Sequence, residues 1–575
     1  MLTTGLLAMH ILGVNAASHN TSAALVEDGR LLAFAEEERF NRERYTMAFP
    51  EGTVRYCLDE AGISADDLDL VVFAGKPSSE ILHSALGALR LAGRPWYRTW
   101  LRDQVLVTGG WKGFTQGRRM RSRTGYSGGF QYLDHHTCHA ASAFFCSPYD
   151  EAAVLTIDAQ GDGVATGLFE GRGTDLRRIE SWAFPEHSIG HFYDCVTEWL
   201  GFKPVKDAGK TMGLAPYGDA SRTREKFSRL VRFGPGGDVT FDLDFLKDDA
   251  GRRSSARFDA VFGPARTPTD DPTDPRFADV AAGAQRIVEE AFLALARHAR
   301  ERTGLRNVCI AGGVGLNSVA NGKLDLAGIF DEVWIQPASY DAGLALGAAL
   351  VAWHATGGSR RFVMEHAYWG PDTKTADVLA ALRRSKAEWR EVADPAAEAA
   401  RLVADGRIVG WYQGRAEVGP RALGNRSILC DPQRLDAKEV LNREVKHREP
   451  FRPFAPACAA EDAGRFFESG RPNPFMLKVF QVRPEFRSKL PGVTHVDGSA
   501  RLQTVSAREN PLYHRMLVEV GRRTGMPCAI NTSFNIRGEP IVNSPLDALK
   551  CYFTTGLDAL VIDRFVLEKR PRPAG

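Results

Sequence analysis

The sequence predicts an α/β fold with duplicated halves in its N-terminal part and a second α/β region after a short linker. A strand, a polar turn and a returning strand occur at residues 10–37 and again at residues 152–171. A strand, a glycine turn and a helix follow from residue 307, and the stretch at residues 357–361 has the Gly/Ser/Arg composition of a linker. A chain of 575 residues is too long for one hydrophobic core, so we expect separate domains.

Apolar runs and turn signals place the individual elements. The predicted strands are residues 10–16, 22–27, 31–37, 152–158, 164–169, 307–311 and 407–412. The predicted helices are residues 276–303, 341–354 and 373–405. Asp28-Gly29 separates the second and third strands, and residues 160–163 separate the fourth and fifth in a similar way. This repeat of strand, turn and strand indicates duplicated halves.

Charge and cysteine content narrow the class of protein. The formal net charge is +2, which argues against nucleic acid or an anionic membrane as a partner, because either needs a strong basic excess. The nine cysteines include no CxxC pair, which disfavours a zinc ribbon and fits reduced thiols in the cytoplasm. The N-terminal apolar run lacks a preceding basic segment, so we expect no signal peptide, and no apolar run is long enough for a membrane span.

Four residues are candidate metal ligands. His135 and His139 open a predicted helix four residues apart, so both imidazoles lie on one face; they either bind a divalent metal, or cap the helix or face solvent. Asp158 ends a strand, and Asp341 begins a helix, where it is either a ligand or an N-cap. His19, in the first polar turn, is either a loop histidine with its hydrogen bonds satisfied or a group that orients or deprotonates an acceptor hydroxyl.

Two glycine-rich segments are candidate nucleotide contacts. Gly312, Gly313 and Asn317 follow a strand and precede a helix, where backbone N–H groups can approach a nucleotide, although such turns are also common structural features. Residues 206–218 contain Lys210 but do not have the order of a Walker A loop. This segment is equally consistent with a phosphate-binding loop and with a surface turn.

Four segments of the C-terminal half are candidates for a binding pocket, and in three of them arginines lie beside apolar, aromatic or proline residues. The segments are residues 417–427, 445–454, 501–505 and 531–535. Because a buried guanidinium needs an anionic partner, and its forked donors suit phosphate oxygens, they favour an anion pocket. By contrast, the arginines of residues 118–123 form a charge run in a Gly/Ser-rich stretch, which we expect to be a solvated or disordered loop.

Together these segments resemble the NodU/CmcH carbamoyltransferase family. The resemblance rests on the His19 turn with residues 36–40, on residues 135–142, 158–171, 212–218, 312–317 and 341–349, and on the four C-terminal segments above. These segments span almost the whole chain in family order. The resemblance implies a domain of duplicated actin/Hsp70-type ATPase fold at residues 1–358, like that of tRNA threonylcarbamoyl transferases, and a YrdC-like α/β domain at residues 366–575.

The same resemblance implies an ATP-dependent O-carbamoyltransferase. In the family, the YrdC-like domain condenses carbamoyl phosphate and ATP, used with Mg²⁺, into carbamoyl adenylate. The ATPase-like domain then transfers the carbamoyl group to a hydroxyl of a small natural product, beside a bound metal that is iron in the family (Fe²⁺, with another divalent metal as the alternative). A homodimer is a candidate oligomeric state.

The family's functional residues match single positions of this sequence. The metal ligands match His135, His139, Asp158 and Asp341, and the histidine beside the acceptor matches His19. The pocket that forms the adenylate matches Arg421, Lys446, Arg452, Arg501 and Ser533. The nucleotide contacts of the first domain match Gly312, Gly313, Asn317 and Lys210. The predicted catalytic residues are therefore His19, Lys446 and Arg452.

Three other functions agree less well with the sequence. A hydrogenase-maturation enzyme, which carbamoylates a protein thiol, should carry an acylphosphatase domain and CxxC pairs, and the sequence has neither. A tRNA-modifying threonylcarbamoyl transferase should have a basic face, which a net charge of +2 does not favour. A nucleotide-sensing module of ATPase fold would not need the arginine-rich second half.

Overall fold

The computed structural model describes residues 8–79, 81–82, 85–86, 92–94, 110–247, 252–359 and 362–569. The start of the N-terminal apolar run and the two arginines of the predicted linker, Arg360 and Arg361, lie outside these residues. The chain forms two compact units. The first consists of Met1–Asn41 and Tyr45–Met364, and the second of Arg42–Arg44 and Glu365–Gly575.

Two five-stranded sheets of matching topology form the centre of the first unit. Its strands are β1 (His10–Asn15), β2 (Ser22–Glu27), β3 (Arg30–Glu36), β4 (Leu70–Ala74), β5 (Phe130–Leu133), β6 (Glu151–Gly161), β7 (Val164–Arg172), β8 (Asp175–Ala183), β9 (Val231–Phe233), β10 (Val239–Phe241), β11 (Asn307–Ala311) and β12 (Glu332–Ile335). One sheet has the order β3-β2-β1-β4-β5 and the other β8-β7-β6-β11-β12. In each, the first three strands are antiparallel and the last two join in parallel, so the duplication predicted from the sequence is present.

The helices of the first unit connect and cover these sheets. They are α1 (Glu38–Asn41), α2 (Glu51–Ala61), α3 (Gly110–Thr124), α4 (His135–Phe144), α5 (Ile189–Trp199), α6 (Ala208–Leu214), α7 (Arg224–Phe227), α8 (Leu243–Leu246), α9 (Ala256–Phe262), α10 (Pro275–Thr303), α11 (Ser318–Leu326) and α12 (Leu344–Ala355). The long helix predicted at residues 276–303 is α10, which Asp274 caps and Pro275 begins. Among the helices that the structure describes, none is long and apolar enough to cross a bilayer.

Helix α12 lies very close to both β1 and α4. A Cβ added at Gly13 in β1 would lie 1.9 Å from the carbonyl oxygen of Ala345. One added at Gly347 would lie 1.8 Å from the carbonyl oxygen of Cys138 in α4. Glycine is therefore required at both contacts, and these contacts hold the start of α12 beside the elements that carry the candidate site.

A mixed eight-stranded sheet organises the second unit. The strands of this unit are β13 (Arg390–Glu391), β14 (Val409–Tyr412), β15 (Arg426–Cys430), β16 (Ala455–Ala459), β17 (Phe480–Gln481), β18 (Ser499–Ala500), β19 (Gln503–Val505), β20 (Cys528–Ser533), β21 (Ala559–Ile562) and β22 (Phe565–Glu568), of which β17 and β18 form a separate two-stranded sheet. The large sheet has the order β13-β22-β21-β14-β15-β20-β16-β19. Ile428 and Leu429, neighbours in β15, belong to different hydrophobic clusters, so both faces of the sheet are covered.

The helices of this unit supply those two clusters. They are α13 (Thr375–Ser385), α14 (Pro395–Ala404), α15 (Ala437–Val440), α16 (Ala463–Phe466), α17 (Pro484–Arg487), α18 (Pro511–Thr524) and α19 (Pro545–Thr554). The single helix predicted at residues 373–405 is wrong, because α13 and α14 are separated by β13. Pro395 begins α14, where its missing N–H group costs no hydrogen bond.

Two further expectations about local structure are wrong. The charge run at residues 118–123 is not a loop but part of α3, which is anchored by fully buried Met120. The glycine-rich segment at residues 206–218 is largely helical and contains α6. In both places tertiary packing of a few apolar side chains overrides the low helix propensity of glycine and serine.

Candidate metal centre and anion pocket

Helix α4 begins directly after β5 and presents two histidines on one face. The side chain of Asp134 caps it by accepting a hydrogen bond of 2.8 Å from the N–H group of Thr137. His135 and His139, one turn apart, are 7% and 0% exposed. The cap fixes the first turn, so both imidazoles point into the unit rather than to solvent.

Asp158 faces both histidines from β6. Its Oδ2 lies 3.1 Å from Nε2 of His135 and 3.2 Å from Nε2 of His139. Its Oδ1 accepts a hydrogen bond of 3.2 Å from the N–H group of Gly313. Gly312 has a φ of 88°, and a Cβ there would lie 2.3 Å from the carbonyl oxygen of Ile157. The glycine turn therefore packs against the strand end and orients the carboxylate of Asp158.

Asp341 completes this group from the turn before α12. Its side chain does not cap the helix; instead Oδ1 lies 3.8 Å from Nε2 of His135 and 3.7 Å from Nε2 of His139. Its backbone carbonyl accepts a hydrogen bond of 3.0 Å from Nδ2 of Asn15, at the end of β1. Asn15 also donates to the carbonyl oxygen of His19, at 3.3 Å, so one amide ties the His19 turn to Asp341.

His19 lies at the open side of this cluster. Its Nδ1 is 2.8 Å from Oδ1 of Asn20 and 3.9 Å from Oδ2 of Asp341. Its side chain is 37% exposed, whereas that of Asp341 is 7% exposed. His19 is therefore more accessible to solvent than the carboxylate beside it.

Charges within the cluster shift the pKa values of its members. Burial alone would lower the pKa of His135, but the hydrogen bond to Asp158 and the charges of Asp341 and Asp158 raise it to about 10. Burial would raise the pKa of Asp158, yet its hydrogen bonds with His135 and His139 hold it well below its usual value. By contrast, burial lowers the pKa of His136 to about 3, and its ring bonds to Thr156 and to the carbonyl of Val164. His136 is thus a structural histidine.

The cluster fits a divalent transition metal. One ligand atom from each of His135, His139, Asp158 and Asp341 lies within 4.8 Å of the others, and all four residues are buried. Two imidazole nitrogens and two carboxylate oxygens suit first-row divalent ions such as iron or zinc, rather than the all-oxygen sets that calcium and magnesium prefer. The carboxylates would also balance the charge of the ion.

The remaining candidate nucleotide contacts of the first unit are engaged with protein groups. Asn317 caps α11 and pairs with Gln285, its Nδ2 lying 3.0 Å from Oε1 of Gln285. Lys210 lies 3.1 Å from Asp207 and 5.3 Å from the ring centroid of Phe202. Contact of either residue with a nucleotide stays a prediction.

In the second unit, Lys446 meets the end of β20. Its Nζ donates to the carbonyl oxygen of Ser533 and, at 2.8 Å, to Oδ1 of Asn535, and it lies 3.4 Å from Oγ of Ser533. Burial, with the charges of Arg448 and Arg452, holds the pKa of Lys446 well below its usual value. The predicted residues Lys446 and Ser533 are therefore in contact.

Arginines from three segments lie near one another in this unit. Burial of the Arg501 guanidinium and the charges of Arg421, Arg448 and Arg452 all lower the pKa of Arg501. Nε of Arg501 is buried and has no hydrogen-bond partner among the described residues. Glu449 supplies one nearby carboxylate, 3.8 Å from Arg452. Cations gathered in this way repel one another, and a polyanion would relieve the repulsion.

Some residues of these sites could not be selected from the sequence. Arg448 and Asn535 lie in the segments singled out above, but spacing did not distinguish them from their neighbours. Arg426 shows the opposite error: it is fully buried, yet it donates to the carbonyl oxygens of Gln413 and Gly414 and stacks on the ring of Tyr412, 3.7 Å from the centroid. Backbone carbonyls and an aromatic ring can thus engage the Nη groups of a buried arginine without an anion, although Nε of Arg426 has no partner among the described residues.

Comparisons with known proteins agree across the two units. A family model described as Carbamoyltransferase N-terminus matches residues 10–350, and one described as Carbamoyltransferase C-terminus matches residues 400–569. An uncharacterized protein of Synechocystis is 38% identical over 98% of this chain and 97% of its own. Nodulation protein NolNO of Sinorhizobium fredii is 36% identical over 97% and 80%. Among solved structures, HypF of T. kodakarensis aligns with 61% of this chain and 48% of its own, with a TM-score of 0.31 and 12% identity.

Proposed function

The chain belongs to the carbamoyltransferase family, and we propose that this enzyme uses ATP and carbamoyl phosphate to carbamoylate a hydroxyl group of a small natural product. The observation that carries the proposal is the separation of two chemical sites. A cation cluster lies in the second unit, and a His/Asp cluster with a partly open histidine lies in the first. Each suits one half of a two-step transfer.

The second unit would form carbamoyl adenylate. Water hydrolyses carbamoyl phosphate to carbamate and phosphate; a carbamate oxygen then bonds to the α-phosphorus of ATP as the bond from that phosphorus to pyrophosphate breaks. Lys446, Arg452 and Arg501 would offset the negative charge of both substrates, with Arg421 and Ser533 completing the pocket. Arg452 is 32% exposed on its side chain, so this side of the cluster is open to ATP and its Mg²⁺.

The first unit would transfer the carbamoyl group. The acceptor oxygen bonds to the carbamoyl carbon and AMP leaves, while Nδ1 or Nε2 of His19 takes the hydroxyl proton. His135, His139, Asp158 and Asp341 would hold iron or another divalent metal, which supplies Lewis-acid polarisation of the carbamoyl oxygen. The hydrogen bonds of Asn15 to the His19 turn and to Asp341 set the distance between the histidine and the metal ligands.

The fold proposal follows the same division. The matched sheet orders of the first unit support the duplicated actin/Hsp70-type ATPase fold at residues 1–358, and Gly312 and Gly313 would lie beside its nucleotide. We assign a YrdC-like domain to residues 366–575. The nine cysteines are buried as free thiols, which supports a cytoplasmic enzyme. The net charge of +2 supports an enzyme without a nucleic-acid or membrane partner. A homodimer stays a candidate oligomeric state.

Pyrophosphate release tests the first step. Wild-type protein given ATP and carbamoyl phosphate should release pyrophosphate, and omission of carbamoyl phosphate should abolish the release. Arg452→Ala should slow it by roughly a hundredfold or more, because several kcal/mol of charge stabilisation are lost. Arg443→Ala is the matched control, since Arg443 is an exposed arginine of the neighbouring turn that pairs with Glu439. Release that does not depend on carbamoyl phosphate would refute the proposed function.

A further inference from the structure

Helix α5 carries two sets of polar side chains on adjoining parts of its surface. His191, Asp194 and Glu198 are spaced by three and four residues, so they share one face. Tyr193 and Thr197 share the other. The hydroxyl of Tyr193 donates to Gln285 of α10 at 2.9 Å, and that of Thr197 lies 2.9 Å from the hydroxyl of Thr211 in α6. The second face therefore belongs to the side of the unit that holds Gln285 and its partner Asn317.

Asp194 connects the first face to the candidate transfer site. Its Oδ1 accepts a hydrogen bond of 2.7 Å from the N–H group of Val205, and its Oδ2 lies 3.2 Å from Nη1 of Arg253. Burial raises the pKa of Asp194, and the charges of Arg253 and His19 offset part of that shift. The start of α5 lies beside the His/Asp cluster, because Oγ of Ser188 accepts a hydrogen bond of 3.0 Å from the N–H group of His191 and donates one of 2.6 Å to the carbonyl oxygen of Ala159, the residue after Asp158.

Asp194 and Glu198 each hold a loop, and the loop at Val205 has a strained backbone. Val205 has a φ of 63°, which a β-branched residue rarely adopts, and its N–H bond to Asp194 keeps it there. On the other side, Oε2 of Glu198 accepts hydrogen bonds from the backbone N–H groups of Arg253, at 2.5 Å, and Ser254, at 3.3 Å. Arg253 is thus positioned through both its backbone and its side chain.

The tautomer of His191 follows from its neighbour. Nη1 of Arg253 lies 3.2 Å from Nδ1 of His191, and a guanidinium can only donate, so Nδ1 accepts. Burial, with the charges of Lys247 and Arg253, holds the pKa of His191 well below its usual value, so the ring is neutral. The ring proton is therefore on Nε2, which is buried and has no acceptor among the described residues. His191 itself is only 4% exposed.

Arg253 also has N–H groups that make no recorded hydrogen bond to the described residues. Its side chain is 33% exposed, and Nη1 makes the hydrogen bonds to Asp194 and His191. Within the described residues, Nε and Nη2 have no recorded acceptor. Two adjacent side chains, one buried and one partly open, thus offer N–H donors and no free acceptor, which suits oxygen atoms and repels an ammonium group.

We propose that His191 and Arg253 form the acceptor subsite beside the His/Asp cluster. They would donate hydrogen bonds to oxygen atoms of a neutral or anionic acceptor that carries the reacting hydroxyl. The inference rests on the proposed carbamoyl transfer and adds to it a class of acceptor. The acceptor is favoured over the nucleotide because Ser188 ties His191 to Ala159, next to Asp158, whereas Tyr193 is the residue of α5 that contacts Gln285. A polyamine-like acceptor is disfavoured because Arg253 is a fixed cation.

Acceptor kinetics test the subsite. A pool of neutral, acidic and amine-bearing sugars is incubated with the wild-type protein, ATP and carbamoyl phosphate, and the carbamoylated sugar is identified by mass spectrometry. With that sugar, Arg253→Met should raise the acceptor KM roughly tenfold to a hundredfold, the loss expected for a hydrogen bond from a charged donor. Arg253→Lys should recover part of the loss. Pyrophosphate release without acceptor should stay at the wild-type rate.

Two further variants separate binding from folding. His191→Phe removes the Nε2 donor but keeps the Arg253–Asp194 pair, so it should also raise the acceptor KM while the melting temperature changes little. Arg252→Met is the matched control, because Arg252 is the adjacent exposed arginine of the same loop, 3.6 Å from Asp259. It should leave the acceptor KM unchanged.

The outcomes are distinguishable. A wild-type acceptor KM in both Arg253→Met and His191→Phe would overturn the subsite. So would a weakened product inhibition by AMP with an unchanged acceptor KM, since the donors would then serve the nucleotide phosphate. Preferred carbamoylation of the amine-bearing sugars would refute the class of acceptor. Failure of the proposed function shows earlier, as wild-type protein that releases no pyrophosphate and modifies no sugar.

Discussion

Two arginines of the second unit show how burial alone misleads at the scale of single residues. Arg426 is fully buried, and its two Nη atoms donate to backbone carbonyls while its guanidinium stacks on the Tyr412 ring, so only its Nε lacks a partner among the described residues. Arg501 has a buried Nε with no partner among the described residues, and three arginines lower its pKa. The difference lies in the neighbours that the fold supplies, and a sequence does not show those neighbours.

Replacing Arg501 should separate stability from function. Arg501→Met removes one unpaired donor and one repelling charge, so the free energy of unfolding of the ligand-free protein should rise by about 1–3 kcal/mol. Pyrophosphate release should be lost at the same time. Urea unfolding and the pyrophosphate assay measure the two effects. A less stable variant would mean that an acceptor within the protein satisfies Arg501.

His139 should be indispensable for metal binding. It is fully buried and its Nε2 lies 3.2 Å from Asp158, so His139→Ala leaves a gap in the ligand set. We expect the metal content to fall sharply, because the site loses one of the two imidazole ligands that suit a first-row divalent ion. Elemental analysis of the purified protein measures this, and pyrophosphate release should persist. His187→Ala, at a partly exposed histidine, is the control. Full metal occupancy in His139→Ala would exclude it as a ligand.

At the scale of elements, the sequence predicted those helices whose formation depends on neighbouring residues in the chain. The i,i+4 histidines after a capping aspartate predicted one face of α4, and the apolar spacing of residues 276–303 predicted α10. Helix α3 could not be predicted in this way, because Met120 at its core-facing side is surrounded in sequence by glycine and arginine. The role of Asn15 was equally hidden, since its contact with Asp341 joins residues 326 positions apart.

Close packing of α12 on α4 should control the metal centre. Gly347→Ala places a methyl group against the carbonyl oxygen of Cys138, so α12 must shift away from the helix that carries both histidine ligands. We expect a loss of about 1–3 kcal/mol in stability together with weaker metal binding. Gly209→Ala is the matched control, since Gly209 lies in α6 with open space around its Cβ position, and it should gain about 0.5–1 kcal/mol.

Thermal melts with and without added Fe²⁺ measure both effects of these glycine variants. Equal stability of the two variants would contradict the close approach of α12 and α4. Loss of stability in Gly347→Ala with unchanged metal affinity would show that the start of α12 holds Asp341 independently of this contact.

At the scale of the whole molecule, the two units carry chemically different sites. The first combines imidazoles and carboxylates, and the second combines a lysine with several arginines. The matching family models likewise divide between residues 10–350 and 400–569. Motif order along the chain predicted both sites, but only the structure shows that residues 42–44 group with the second unit, since no local signal marks that excursion.

This division predicts that the two half-reactions can be uncoupled. His19 lies in the first unit, beside Asp341 and away from the cation cluster in sequence, so His19→Ala should still release pyrophosphate from ATP and carbamoyl phosphate. It should fail to carbamoylate the acceptor, because the hydroxyl loses the group that takes its proton, a loss of roughly a hundred- to ten-thousand-fold. Carbamoyl adenylate should then accumulate or hydrolyse slowly to AMP, since transfer requires a site that excludes water. Rapid quench followed by chromatography of AMP and carbamoyl adenylate measures each species. If His19→Ala, with its fold intact, no longer releases pyrophosphate, His19 serves the first reaction and the proposed division of labour is wrong.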